Sequence, residues 1–178
     1  MGLASLHNAD REGQASIAHT DISFSQFIFV KGQLKLNDFN RARFILKYKH
    51  NDTNCPYHVG KNPGKWRSPE EYKYEPQSEK VDVYSFGNVI YVLLQEDAPF
   101  RDVNFKDVSK AVIEGKRPSV YYDVWNSTDR IVQTLKSAMM MCHRHDPVDR
   151  PTARDLETLL KTAMKTYDPG TLESWGDA

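Results

Sequence analysis

The stretch from Ser78 to Leu94 constrains the fold more than any other part of the chain. Val81, Val83, Tyr84, Phe86, Val89, Ile90, Val92 and Leu93 surround a helix almost completely when wound at 3.6 residues per turn. A helix that is apolar all round has to be buried on most sides, so this one is expected to be the hub of a core that other elements wrap. A length of 178 residues predicts one domain around it. Asn104, with Asp107 three positions later, opens a second helix that Gly115 closes. Thr128 starts a third, with Ile131, Leu135, Ala138 and Cys142 on one face. Thr152-Ala153-Arg154-Asp155 is a variant capping box in front of Leu156, Leu159, Leu160, Ala163, Met164 and Tyr167 at helical spacing. Met139 to Met141 read as filler for irregular core gaps. Gly2 to His7 form a short helical start, and residues 168–178 read as a frayed tail.

Upstream of the central helix the period changes. Phe27-Ile28-Phe29-Val30 and Gln33-Leu34-Lys35-Leu36 flank Lys31-Gly32, which predicts a hairpin. The fold class is therefore mainly α with a small β-hairpin. Residues 41–77 show no sustained period and read as a long loop, of the kind that is functional or disordered in compact domains.

Charge and cysteine usage narrow the function classes. Twenty-four Lys and Arg balance 24 Asp and Glu, so no global field invites a polyanion. The eight Lys and Arg that face three Asp and Glu between residues 41 and 73 come without a nucleic-acid-binding motif, and no nucleic-acid partner is expected. No apolar run is long enough to span a membrane, and Leu6 stands where N-myristoylation needs Ser or Thr, so no membrane contact is expected. Cys55 and Cys142 make neither a disulfide framework nor a metal pattern, which predicts an intracellular, cytoplasmic address. Cys142-His143-Arg144-His145 reads as a helix end.

Asp21 enters the hairpin and Asp38 leaves it, and a hairpin returns its ends to each other. Both carboxylates can then face one cleft, with the Gln26 amide oxygen on the same side. Such hard oxygen ligands suit Mg²⁺ held partly by substrate phosphates. The alternative is that both are ordinary turn residues.

The order of several short motifs resembles that of the protein kinases. His19-Thr20-Asp21-Ile22-Ser23-Phe24-Ser25-Gln26 looks like the catalytic loop H-R-D-L-x-x-x-N, and Asp38-Phe39-Asn40 like D-F-G. Ser68-Pro69-Glu70 looks like A-P-E, Asp82 to Gly87 like the central helix that follows, and Ala98-Pro99-Phe100 and Asp146 to Pro151 like later landmarks. The resemblance covers roughly residues 15–167, and residues 1–167 are expected to form a partial kinase domain. It implies the C-terminal lobe of the protein-kinase-like (α+β) fold, with a catalytic loop at 19–26 and an activation segment at 38–70. Carried over, it makes Asp21 the residue that orients the acceptor hydroxyl, Asp38 the principal Mg²⁺ ligand, and Gln26 the second-metal residue, with ATP and Mg²⁺ as cofactors and a protein as substrate or partner. Lys65, Trp66 and Arg67 fall where the family binds residues beside the phosphoacceptor. His19, Glu70, Asp82 and Arg150 fall at structural positions, Glu70 and Arg150 as an ion pair.

Departures from the pattern are informative. Thr20 replaces the Arg that pairs with a phosphate on the activation segment, Asn40 replaces Gly, and Gln26 adds a methylene to the usual Asn. Ser23 stands where Ser/Thr kinases carry Lys, and Trp66 with Asp82 to Gly87 leans toward the tyrosine-kinase-like group of Ser/Thr kinases. No G-x-G-x-x-G-x-V run and no V-A-I-K strand is present, so an N-terminal lobe is expected from sequence upstream. Two readings follow: a fragment of an active kinase, Ser/Thr-directed rather than Tyr-directed, or a pseudokinase-like lobe acting as a protein-interaction module.

Overall fold

The computed structural model describes residues 2–60 and 63–167. The elements run α1 (Gly2–His7), β1 (Ile17–Ala18), β2 (Phe27–Val30), β3 (Gln33–Leu36), β4 (Arg43–Phe44), α2 (Pro69–Tyr72), α3 (Lys80–Gln95), α4 (Phe105–Ile113), α5 (Tyr122–Asn126), α6 (Arg130–Cys142) and α7 (Ala153–Lys165). The tail expected at 168–178 lies outside the described residues.

Helix α3 is the hub. Val81, Val83, Tyr84, Phe86, Val89, Ile90 and Tyr91 are buried, and Leu3, Ala4, Ile22, Ala138, Met139, Cys142, Ala153 and Leu156 complete the main core. Its last turn departs from the expectation: Leu93 is 53% exposed, and the helix ends at its cap Glu96, left-handed at φ 53°. Asp82, Ser85, Asn88 and Gln95 of α3 are buried as well, and each reaches a loop. Asp82 accepts from the backbone of His19 and Thr20, Ser85 and Asn88 donate to the Trp66 carbonyl, and Gln95 accepts from the Tyr121 N–H. The helix is thus surrounded because its polar side chains hold loops instead of facing water.

Gly87 permits the close approach of α3 to α6. A β-carbon there would lie 2.7 Å from Cys142 Cβ and 2.7 Å from the His143 ring. Gly87→Ala should gain the usual helix propensity of about 1 kcal/mol and lose more, roughly 1–3 kcal/mol, to overpacking. A urea midpoint equal to or above that of the parent protein would contradict this account of the contact.

Helix α4 opens at Asn104, which accepts from the Asp107 N–H, and its Val108 and Val112 pack on Tyr84. Gly115 follows at φ +88°. Helix α6 begins one residue later than the Thr128 signal suggests. Its cap is Asp129, whose carboxylate accepts from Ile131 and Val132; a charged acceptor also meets the helix dipole. Of the methionine run, Met139 is buried while Met140 is 52% exposed, so only part of it fills the core. His143 caps α6 as a helix end, its N–H donating to Met139. Helix α7 carries the expected capping box of Thr152 and Asp155.

The hairpin pairs Phe27 with Leu36 and Val30 with Gln33. Lys31 and Gly32 both have positive φ, at 49° and 76°, the geometry that matches strand twist in a two-residue turn. A second pair, Ile17 with Phe44 and Ala18 with Arg43, has no counterpart in the sequence analysis, nor have α2 and α5. These pieces are too short to show a period. The described residues 41–60 and 63–77 are therefore more structured than a bare loop, with a further bridge from Tyr57 to Gln77.

Candidate active site

The site grows from a single buried carboxylate. Asp82 sits on the first turns of α3 with no side-chain exposure and accepts from His19 N at 2.6 Å and Thr20 N at 2.7 Å. His7, at the end of α1, joins the same carboxylate through Nε2 at 3.0 Å. Three partners from two segments satisfy a charge that would otherwise be costly to bury. Sequence reasoning missed His7, because a lone histidine in a short helix carries no motif.

This clamp fixes an unusual backbone. Thr20 has φ 64°, a conformation that costs a β-branched residue roughly 1–2 kcal/mol. Its hydroxyl donates to the Arg41 carbonyl at 2.8 Å. Thr20 thus offers no cation and ties the segment that carries Asp21 to the residues after Asp38 instead.

Two further bonds join the same segments. His19 Nε2 lies 2.9 Å from the Asn37 carbonyl with its ring edge-on to Phe39, and the Asn37 N–H donates to the Gln26 carbonyl at 2.9 Å. The loops bearing Asp21, Gln26 and Asp38 are therefore side by side. Their carboxylates have different surroundings. Asp38 is exposed and itself left-handed at φ 60°, its side chain meeting only the Asn40 N–H, at 3.5 Å, among the described residues. The left-handed bend thus falls on Asp38 and not on Asn40, whose φ is not positive. Asp21 is half-buried and paired with Arg67 at 2.5 Å.

The segment before Pro69 is anchored inward. Lys65 Nζ donates to the carbonyls of Phe100 and Arg101 at 2.8 and 2.7 Å. Trp66 packs against the core while Ser85 and Asn88 hold its carbonyl. Arg67 is buried against Asp21 and the Thr20 carbonyl. The resemblance sets these three side chains beside an acceptor residue; all three run into the protein.

Below them lies the ion pair of Glu70 and Arg150. It is bidentate, at 2.6 and 2.8 Å. Arg150 also donates to the carbonyls of Lys80, Arg144 and His145, and its guanidinium lies over the Tyr84 ring. Next to Glu70, Glu71 accepts from both the N–H and the hydroxyl of Ser68. Burial pushes the Glu71 carboxyl up to about 7, against the opposing pull of Arg67 and Ser68. Glu71 is legible in the sequence only through its Ser-x-x-Glu spacing from Ser68, the signature of a capping box.

A family model for the protein kinase domain matches residues 1–160. The chain belongs to the protein kinase domain family. Kinases named in other organisms are similar along most of it. A putative serine/threonine-protein kinase/receptor of Acanthamoeba polyphaga mimivirus is 31% identical over 157 residues, 88% of this chain. Human mitogen-activated protein kinase kinase kinase 7 is 26% identical over 175 residues, 96% of the chain. The dual specificity protein kinase shkD of Dictyostelium discoideum is 26% identical over 159 residues, again 88% of the chain. The chain spans only 8%, 26% and 19% of these relatives' lengths. Kinase family membership implies ATP, Mg²⁺ and protein substrates. Among the described residues no helix is long and apolar enough to cross a membrane.

The donor set is compatible with such a cation. No cluster of three His, Cys, Asp or Glu side chains suited to a metal occurs among the described residues. Mg²⁺ does not need one, since it commonly takes one or two carboxylates together with nucleotide phosphates. Asp38 is open to that use.

Proposed function

We propose that the chain is the C-terminal lobe of a protein kinase domain that transfers the γ-phosphoryl group of ATP to protein hydroxyls, on Ser or Thr rather than Tyr. The observation that carries this is the Asp82 clamp, which holds the backbone leading to Asp21 while the hairpin returns Asp38 to the same place. Phosphoryl transfer asks little covalent chemistry of a protein and much positioning. In this reading Asp21 orients the acceptor hydroxyl. Asp38 and Gln26 would hold Mg²⁺, which neutralises phosphate charge when bound. Ser/Thr preference is supported by the mimiviral relative, which is named as a putative serine/threonine-protein kinase/receptor, and the tyrosine-kinase-like leaning by Trp66 together with the Asp82 to Gly87 stretch.

The hairpin supports the expectation of an N-terminal lobe. Phe29 and Leu34 are 74% and 59% exposed, and with Gly2, Leu36 and Phe39 they line an open depression of about 880 Å³. Exposed apolar surface of this extent marks a face that something covers.

The test is phosphotransfer by a longer product in which an N-terminal lobe is joined to this chain, with Mg²⁺, ATP and separate Ser, Thr and Tyr peptide pools. Asp21→Asn and Asp38→Ala should each lower kcat by about 10²-fold or more. A second reading, a catalytically impaired interaction module, is favoured by the capture of Asp21 by Arg67. Absence of phosphotransfer together with absence of thermal stabilisation by Mg²⁺ and ATP would decide for it.

A further inference from the structure

We infer that Arg67 is the positioning residue for Asp21, fixing the plane of its carboxylate so that one oxygen is directed at the acceptor hydroxyl. The inference rests on the reading of Asp21 given above.

Three observations converge on it. Arg67 bridges the two structural walls of the site. Its backbone neighbour, the Trp66 carbonyl, is held by Ser85 and Asn88 of α3, while its guanidinium donates to Asp21 Oδ1 at 2.5 Å and to the Thr20 carbonyl at 3.2 Å. The peptide that leads into Asp21 is consequently pinned from both sides: Asp82 holds the Thr20 N–H and Arg67 holds the Thr20 carbonyl. Finally, the two carboxylate oxygens of Asp21 differ. Oδ1 is taken by Arg67, whose side chain is 8% exposed, whereas among the described residues nothing bonds to Oδ2 and the Asp21 side chain keeps 22% exposure.

The chemistry is consistent with a cation at this place. In a loose phosphoryl-transfer transition state, alignment of the acceptor matters more than the strength of the base. Neutralising one oxygen therefore leaves the orienting role intact. Arginine suits it, because a planar fork fixes direction where an ammonium supplies only charge. The arrangement also leaves Arg67 Nε buried without a partner among the described residues, a cost that a residue serving stability alone would not need to carry. Because Arg67 belongs to the segment that precedes Pro69, ordering of that segment and alignment of Asp21 become one event.

A double-mutant cycle tests this in the longer product described above. Arg67→Met should lower kcat by about 10²-fold with KM for ATP unchanged, and Arg67→Lys should recover only a minor part of the loss. In an Asp21→Asn background Arg67→Met should have almost no further effect. Equal losses in both backgrounds would show a merely structural residue and overturn the inference, and a rise in kcat for Arg67→Met would do the same by making Arg67 a brake. Failure of the parent reading looks different: Asp21→Asn itself would then leave kcat unchanged. Thermal melts of the 178-residue chain identify a variant that fails to fold, in which case the Arg67→Lys arm carries the cycle.

Discussion

Arg150→Met is expected to destabilise the protein by about 3–5 kcal/mol, the usual consequence of leaving one member of a buried ion pair alone. The Arg150 side chain has no exposure and its Glu70 partner only 5%, so water cannot replace the lost contact. The effect should be at the upper end, because the same guanidinium satisfies the carbonyls of Lys80, Arg144 and His145. These orphaned acceptors lie on α3 and on the turn before α7. Glu70→Gln should cost less, since an amide oxygen still accepts. The double variant Glu70→Leu/Arg150→Met should be more stable than Arg150→Met alone, because it removes the uncompensated charge. Urea unfolding of the three variants checks this, and a single variant with an unchanged midpoint would sink it.

Acid should weaken the fold through His143, and His143→Phe should remove most of that weakness. His143 is buried at the end of α6, 4.9 Å from the Tyr84 ring, with Nε2 lacking a partner among the described residues. Burial, reinforced by the positive charges of Arg117 and Arg150, lowers its pKa from the ordinary 6.5 to about 3. The unfolded chain therefore takes up a proton that the folded chain refuses between these values, and stability is full above pH 6.5 and falls as pH drops towards 3. The loss should be on the order of 2 kcal/mol by pH 5 and 4–5 kcal/mol at the acid end. Glu71 acts in the opposite direction. Its raised pKa makes the folded state hold a proton that the unfolded state has released, so its contribution declines as pH rises from 4.5 to about 7. Subtracting the His143→Phe profile from that of the parent isolates the histidine, as Glu71 is common to both. Parallel urea-midpoint profiles from pH 7 to pH 4 would refute the assignment.

Much of the scaffold was legible because it is written in local patterns. The all-round apolar run of α3, the Lys31-Gly32 turn, and the caps at Asn104 and Thr152 each lie within a few residues of the structure they specify. The motif order from His19 to Pro151 was legible for a different reason, being a linear signature of the kinase family. Residue-level roles were harder to read. The motif order sets Lys65, Trp66 and Arg67 beside an acceptor, whereas it is the fold that bonds the Lys65 side chain to the Phe100 carbonyl, packs Trp66 on the core and pairs Arg67 with Asp21. His7 carried no signal, yet it shares the Asp82 carboxylate.

What the residues alone determined is a buried central helix, a hairpin returning two acidic loops, and membership of the protein kinase family. These follow from periodicity, turn chemistry and spacing, which act between near neighbours in the chain. Only the tertiary structure decided that Thr20 is left-handed, that β1 pairs with β4, and that Arg67 holds Asp21. Arg67 and Asp21 are 46 positions apart in sequence. A contact of that separation depends on how α3 orients both segments at once, and no local pattern records it.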